Sequence, residues 1–208
     1  MKSNARPPSP PSSAKPTPAP GTNRKKPGDI VSPFQVTAVN GLQLAIPDSS
    51  VRFVHLQFRR FAGCPICNTH LRTFVDARPE IDRADIREII FFHSSADLIR
   101  RYQDDLALDF VADPQRLFYR RFGVAASRSA LLHMRVLGAI VRSLTREKWR
   151  LPKVENGRLG LPADFLLDRA GRVLAAKYGT HAFDQWSVAE LLGMARTHTR
   201  AGTGEAAP

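Results

Sequence analysis

The sequence predicts an α/β fold, a central mixed β-sheet flanked by α-helices, and three observations carry that prediction. Apolar runs of strand length alternate with stretches of helical spacing through the middle of the chain. A hairpin pattern and a capped helix follow near its end. Both cysteines of the protein, Cys64 and Cys67, fall where the first long strand hands over to a helix. Strand, helix and strand at this spacing form a βαβ unit, whose crossover is expected to be right-handed.

The elements follow in order. Residues 1–28 hold six basic residues, no acid and eight of the sixteen prolines, so half of the formal charge of +12 lies there. Such a stretch lacks the apolar side chains that offset ordering entropy, and a disordered Pro/Ser/Lys-rich leader is expected. Val51 to Phe58 is β-branched and aromatic, as a buried strand should be. Pro65 to Ala77 places Cys67, Leu71, Phe74 and Val75 on one helical face, with Pro79 expected to stop the helix. Ile86 to Phe92 is a second strand, and a helix starts near Ala96 with Ser95 as N-cap. A short strand from Phe110 to Ala112 meets Asp113-Pro114, read as N-cap and first residue of a helix ended by Gly123.

Ser127 to Arg146 has the spacing of a long amphipathic helix, with Leu131, Met134, Leu137, Val141 and Leu144 opposite Arg128, Arg135, Arg142 and Arg146. Phe165 to Leu167 and Val173 to Lys177 make a hairpin around Asp168-Arg169-Ala170-Gly171. Ser187 and Glu190 form a capping box for the last helix. The expected organisation is a leader over 1–28, one domain over 29–198 and a disordered tail over 199–208.

Composition excludes several classes. With 43% apolar residues the chain can bury a core, yet no run approaches the ~18 apolar residues of a membrane span. The basic start has no apolar segment before Ile30, so no secretory signal is expected, and two cysteines are too few for a disulfide-stapled scaffold. A soluble cytoplasmic protein is the expectation. Nucleic acid is not expected as the primary ligand, because the densest basic run is in the leader and no recognition motif is present. The basic face of 127–146 reads as solvated arginines over a packed apolar face. The other reading is a surface for anionic membrane or a polyanion.

The chemistry concentrates in Phe58-Arg59-Arg60-Phe61-Ala62-Gly63-Cys64-Pro65-Ile66-Cys67. Free amides at a helix N-terminus stabilise an anion, so Cys64 is expected to lose its proton more easily than an ordinary thiol. Pro65 suits the first helical position, where an amide hydrogen has no helical partner. Cys67 lies within reach of a disulfide or sulfenic acid formed at Cys64, and Arg59 and Arg60 add positive potential. Zinc is a weaker reading, since His70 adds one ligand and a fourth is missing. Two buried structural cysteines are the remaining alternative. No metal or organic cofactor is expected. His55 in the strand reads as a core or face residue, and His181 as a surface-loop residue.

Residues ~29 to 196 resemble the peroxiredoxin-like (AhpC/TSA) branch of the thioredoxin-fold superfamily. The resemblance rests on four passages: Gly28 to Phe34 with Asn40-Gly41, the strand running into Gly63-Cys64-Pro65-Ile66-Cys67, Asp109 to Asp113-Pro114 continuing to Tyr119-Arg120-Arg121-Phe122-Gly123-Val124, and Leu161 to Asp168 with Gly171. It implies a thioredoxin-like fold with a cis-proline before the hairpin strand, facing the redox cysteine, for which Leu161-Pro162 is the candidate. It also implies departures. Gln57 and Phe61 stand where the standard enzymes carry proline and a peroxide-binding hydroxyl, and Pro162 stands where they carry an arginine that polarises peroxide.

The function implied is a thiol-dependent oxidoreductase that reduces peroxides or disulfides through a Cys64/Cys67 dithiol–disulfide cycle, with Pro162 at the site. A thioredoxin- or glutathione-type reductant would reset it, and a homodimer is among the assemblies such proteins form. The alternatives are a disulfide reductase with negligible peroxidase activity, and a redox-inert or redox-sensing basic binding module.

Overall fold

The computed structural model describes residues 24–124 and 160–203. Its centre is a five-stranded sheet in the order β5-β4-β3-β6-β7. The strands are β3 (Phe53–Arg59), β4 (Ile86–Phe92), β5 (Asp109–Ala112), β6 (Ala163–Asp168) and β7 (Val173–Tyr178). β3 runs parallel to β4 and β4 to β5, while β6 is antiparallel to β3 and to β7. The mixed sheet of the sequence reading is therefore present, with β3 at its middle.

A central strand has both faces covered, and all seven residues of β3 are buried. Val54, Leu56 and Phe58 enter one core with Ile89, Phe91, Tyr119, Phe122 and Phe165. Phe58 stacks on Phe91 at 4.8 Å and meets Tyr119 edge-on at 5.0 Å. The intervening residues His55, Gln57 and Arg59 point to the other face, and they are polar.

The helices are α1 (Pro65–Asp76), α2 (Arg78–Arg83), α3 (Ala96–Gln103), α4 (Leu117–Arg121) and α5 (Val188–Thr203). Most follow the sequence pattern, with instructive differences. Pro79 does stand beyond the end of α1, but it also occupies the first turn of α2, where a missing amide hydrogen costs nothing. Asp113 accepts from the amides of Leu117 (2.7 Å) and Phe118 (2.8 Å), but the N-cap position falls on Arg116 and not on Asp113. The helix begins later because Arg116 takes a left-handed turn with φ 56°. The capping box closes as read: Ser187 N donates to Glu190 (2.7 Å) and Glu190 N to the Ser187 hydroxyl (3.2 Å). α5 runs past the expected boundary at Thr199 to Thr203.

A hairpin that the spacing did not reveal, β1 (Phe34–Thr37) with β2 (Gln43–Ile46), turns through Asn40-Gly41. Arg24 to Gly28, read as the end of the leader, lie against the sheet edge. The Arg24 guanidinium sits 4.5 Å from the Tyr178 ring, and Gly28 N bonds the Val173 carbonyl at 2.8 Å. The basic helix 127–146, leader residues 1–23 and the end of the tail lie outside the described residues. No described helix is long and apolar enough to cross a membrane.

Candidate active site

β3 ends at Arg59, and the next five residues deliver Cys64 to the start of α1. Cys64 is the N-cap residue in extended conformation, with Pro65 at the first helical position. The turn is held from three sides. Cys64 N bonds the Phe61 carbonyl at 3.0 Å. Ala62 N donates to the buried Ser94 hydroxyl at 3.1 Å, and Gln103 donates to the Ala62 carbonyl at 2.6 Å. Tyr119 donates to the Phe91 carbonyl at 2.8 Å and also bonds that of Arg59, fixing the strand end from below.

Both cysteines are free thiols with no exposed surface. The Cys67 thiol donates a hydrogen bond to the Cys64 sulfur. That bond is the largest cause holding Cys64 down at about 6; burial opposes it, while the Arg60 charge and the Cys67 and Ile66 amides assist. The same contact pushes Cys67 well up, since its proton is engaged beside a developing thiolate. A sulfur of lowered proton affinity and a protonated partner are thus set side by side at a helix N-terminus.

The two arginines expected to share this task divide it. Arg60 places Nη1 3.8 Å from the Cys64 sulfur, and its Nε donates to the Gly160 carbonyl at 2.9 Å. Arg59 turns to the opposite side of the strand and binds Asp164 at 2.6 Å. It belongs to a buried polar lattice of β3, β4 and β6. Arg59 also donates to Gln57 Oε1 (2.6 Å), Gln57 donates to Glu88, and His55 bridges Glu88 (2.8 Å) and Asp164 (3.2 Å). Register explains the meeting: His55 lies opposite Glu88 in β4, and Gln57 opposite Asp164 in β6.

The lattice sets the protonation of its members. Burial works against a charged His55, but Glu88 and Asp164 overcome it and raise the ring to about 9. Burial likewise opposes ionised Asp164, yet Arg59 and His55 hold its carboxyl well below the usual carboxylate range. Two basic side chains, His55 and Arg59, thus face two acidic ones, Glu88 and Asp164. His70, on α1 and 3.4 Å from Arg59, is pressed down to about 3 by burial and by that guanidinium. It stays neutral, and its neighbour is an arginine. Among the described residues no group of three or more His, Cys, Asp or Glu is placed to hold a metal ion.

Pro162 departs from expectation. The cis X-Pro bond of the described chain is Ile46-Pro47, and Leu161-Pro162 is trans. Pro162 is buried, and its carbonyl accepts from Gly179 N at 2.9 Å, in the loop after β7. A Cβ on Gly179 would meet Pro162 Cγ at 2.7 Å, so the two backbones approach closely. His181 in that loop is half-buried and accepts from Phe183 N at 3.3 Å. The next residue, Ala182, is what reaches the apolar cluster around Cys64 and Cys67.

Comparisons with known proteins agree with this frame. A family model described as AhpC/TSA antioxidant enzyme matches residues 73–181, a stretch that begins after both cysteines. No curated protein matches the sequence. Among solved structures, peroxidoxin BcpB of Mycobacterium tuberculosis has a TM-score of 0.60 at 17% identity, covering 83% of this chain and 97% of its own. The yeast mitochondrial 1-Cys peroxiredoxin gives 0.60 at 12% identity over 86% and 79%. A protein of Chlorobium tepidum designated thiol:disulfide interchange protein DsbE gives 0.51 at 14% identity over 88% and 99%. At these identities the structures share the thioredoxin-like fold with this chain.

Proposed function

The chain belongs to the AhpC/TSA antioxidant enzyme family, and on that premise we propose that it is a thiol oxidoreductase working through Cys64 and Cys67. The observation that carries the reading is the placement of the Cys64 sulfur at the start of α1, beside Cys67 and 3.8 Å from Arg60, an arrangement that lowers its affinity for a proton. At about 6, such a sulfur is roughly 90% ionised at pH 7, against ~3% for a thiol at the reference of ~8.5.

The cycle balances in three steps. The Cys64 thiolate attacks one peroxide oxygen; the S–O bond forms as the O–O bond breaks, and the departing oxygen takes a proton to leave as water or alcohol. Cys67 then attacks the resulting sulfenic acid, forming S–S and releasing water. An external dithiol of the thioredoxin type, or two thiols of the glutathione type, returns two electrons by exchange and leaves as the disulfide. The relative from yeast mitochondria is resolved through glutathione and thioredoxin systems, and a reducing compartment such as the cytoplasm suits this step. Both sulfurs are buried, so substrate reaches Cys64 only after local movement of the turn.

A disulfide substrate is the second reading, and Gln57 favours it. Gln57 is consumed by Arg59 and Glu88 on the far face of β3, and Phe61 brings no hydroxyl to Cys64. Peroxide therefore loses a polar contact that attack on a disulfide does not require. Mass spectrometry after one equivalent of peroxide, and separately of a model disulfide, tests both readings. A Cys64–Cys67 disulfide from either oxidant, lost in Cys64→Ser, supports the dithiol cycle. Its absence with both overturns it, and the faster oxidant identifies the substrate class.

A further inference from the structure

In the resemblance above, the arginine that polarises peroxide stands just before the closing hairpin, and here that position is Pro162. Arg60 reaches into the same neighbourhood from the end of β3. Its Nε is bonded to the carbonyl of Gly160, two residues before Pro162, at 2.9 Å. Its Nη1 lies 3.8 Å from the Cys64 sulfur. A guanidinium is a planar fork, so a carbonyl that fixes Nε also fixes where the Nη groups point. Left to itself, a long side chain would spread over several rotamers.

Gly160 has little freedom to give way. A Cβ there would come 2.8 Å from His93 Nε2, closer than real contacts allow, and a tight 3.2 Å from its Cδ2. The His93 ring has no exposed surface, and it stands edge-on to Tyr119 at 5.7 Å. His93 N in turn bonds the Arg60 carbonyl at 3.3 Å. His93, Gly160 and Arg60 therefore form one packed unit beside the sulfur. Burial, with Arg116 and Arg60 nearby, lowers His93 to about 4 and leaves it neutral at pH 7. A charged ring would compete with Arg60 for the thiolate; a neutral one serves as a wall.

We propose that Gly160 and His93 are positioning residues that clamp Arg60 over Cys64, so that Arg60 supplies the guanidinium absent from position 162. The clamp rests on the dithiol reading, and it deepens it by naming what orients the charge. It acts on the leaving oxygen or leaving thiolate of the substrate as well as on Cys64, because all three negative charges develop within one small volume.

The test is the pH profile of Cys64 alkylation by iodoacetamide, resolved from Cys67 by peptide mass spectrometry. Gly160→Ala should lower the Cys64 rate at about pH 5 by roughly three- to tenfold, as the sulfur's affinity for its proton rises by the same factor. Adding His93→Ala removes the clash together with the wall, so the rate should recover in part, to that of His93→Ala alone. Arg60→Met should cost at least as much as Gly160→Ala, and Gly160→Ala should add nothing in that background. An unchanged profile in Gly160→Ala overturns the clamp. So does an additive effect in Arg60→Met, or a failure of His93→Ala to restore a folded Gly160→Ala protein. If Gly160→Ala does not fold, non-rescue by His93→Ala overturns it equally. A parent whose Cys64 alkylates readily at low pH yet forms no disulfide with either oxidant defeats the functional reading and leaves the clamp standing.

Discussion

The two faces of β3 are both fully buried, yet they are built from opposite materials. Val54, Leu56 and Phe58 meet a cluster of aromatic rings. His55, Gln57 and Arg59 meet Glu88 and Asp164 in a closed ionic lattice under α1 and Trp186. The aromatic face tolerates approximate geometry, because dispersion and burial are non-directional. The ionic face does not, because each buried charge depends on a partner at hydrogen-bond distance. The turn that carries Cys64 grows from the end of this strand. We read the ionic face as what fixes the strand's direction, and the aromatic face as what supplies the bulk of its burial.

Deleting one partner from each face separates these roles most strongly. Asp164→Ala strands Arg59 and His55 together and should cost about 3–5 kcal/mol in denaturant unfolding. Phe58→Ala opens a cavity among four rings at a cost of about 3–5 kcal/mol. The two losses are of similar size, but only the first should alter the pH dependence described next. Equal pH profiles for both variants would remove the distinction between the faces.

The parent's pH dependence is the next largest effect. His55 is raised above its unfolded value of ~6.5, so its contribution is complete below that pH and is lost as pH climbs through about 9. Asp164 is depressed, so its contribution is present above ~3.9 and fades as pH falls below that value. Neutral His70 and His93 contribute stability above ~6.5 that is lost as pH falls, and the lowered Cys64 adds stability between about 6 and ~8.5, so the maximum should lie at about pH 6.5–8. The His55 loss is read as the difference between the parent and Glu88→Gln, roughly 1–3 kcal/mol from pH 6.5 to 9, and Phe58→Leu should leave it intact. Parent and Glu88→Gln curves that stay parallel over that range would show that His55 is neutral and the lattice unbalanced. The smallest effect is a control away from both faces: Ser187→Ala opens the α5 capping box and should cost about 1 kcal/mol without altering the pH profile.

How much of this was legible follows from where each signal lies. The strand, the turn and the cysteine pair are contiguous, and their order was read directly. The lattice was not, although polar residues alternate through Val54-His55-Leu56-Gln57-Phe58-Arg59. Alternation of that kind ordinarily marks a strand with one wet face. Only the topology, which puts β3 between β4 and β6, shows that the polar face is dry. Its partners come from far along the chain: Glu88 33 residues away from His55, and Asp164 109 residues away.

Arg59 and Arg60 are adjacent in sequence, yet strand alternation sends them to opposite sides. Pro162 stands before a hairpin strand, and that position does not determine the isomer of its bond. Pro79 lacks the amide hydrogen that continues a helix, and the same lack suits a helix start.

The most direct measurement is the apparent pKa of Cys64 from pH-dependent alkylation of the intact protein. A value near 6, rising to about 7 or higher in Arg60→Met but moving little in Arg59→Lys, is the predicted result. A value near the ordinary ~8.5, or equal responses to the two arginines, would contradict the assignment of Cys64 as the activated nucleophile.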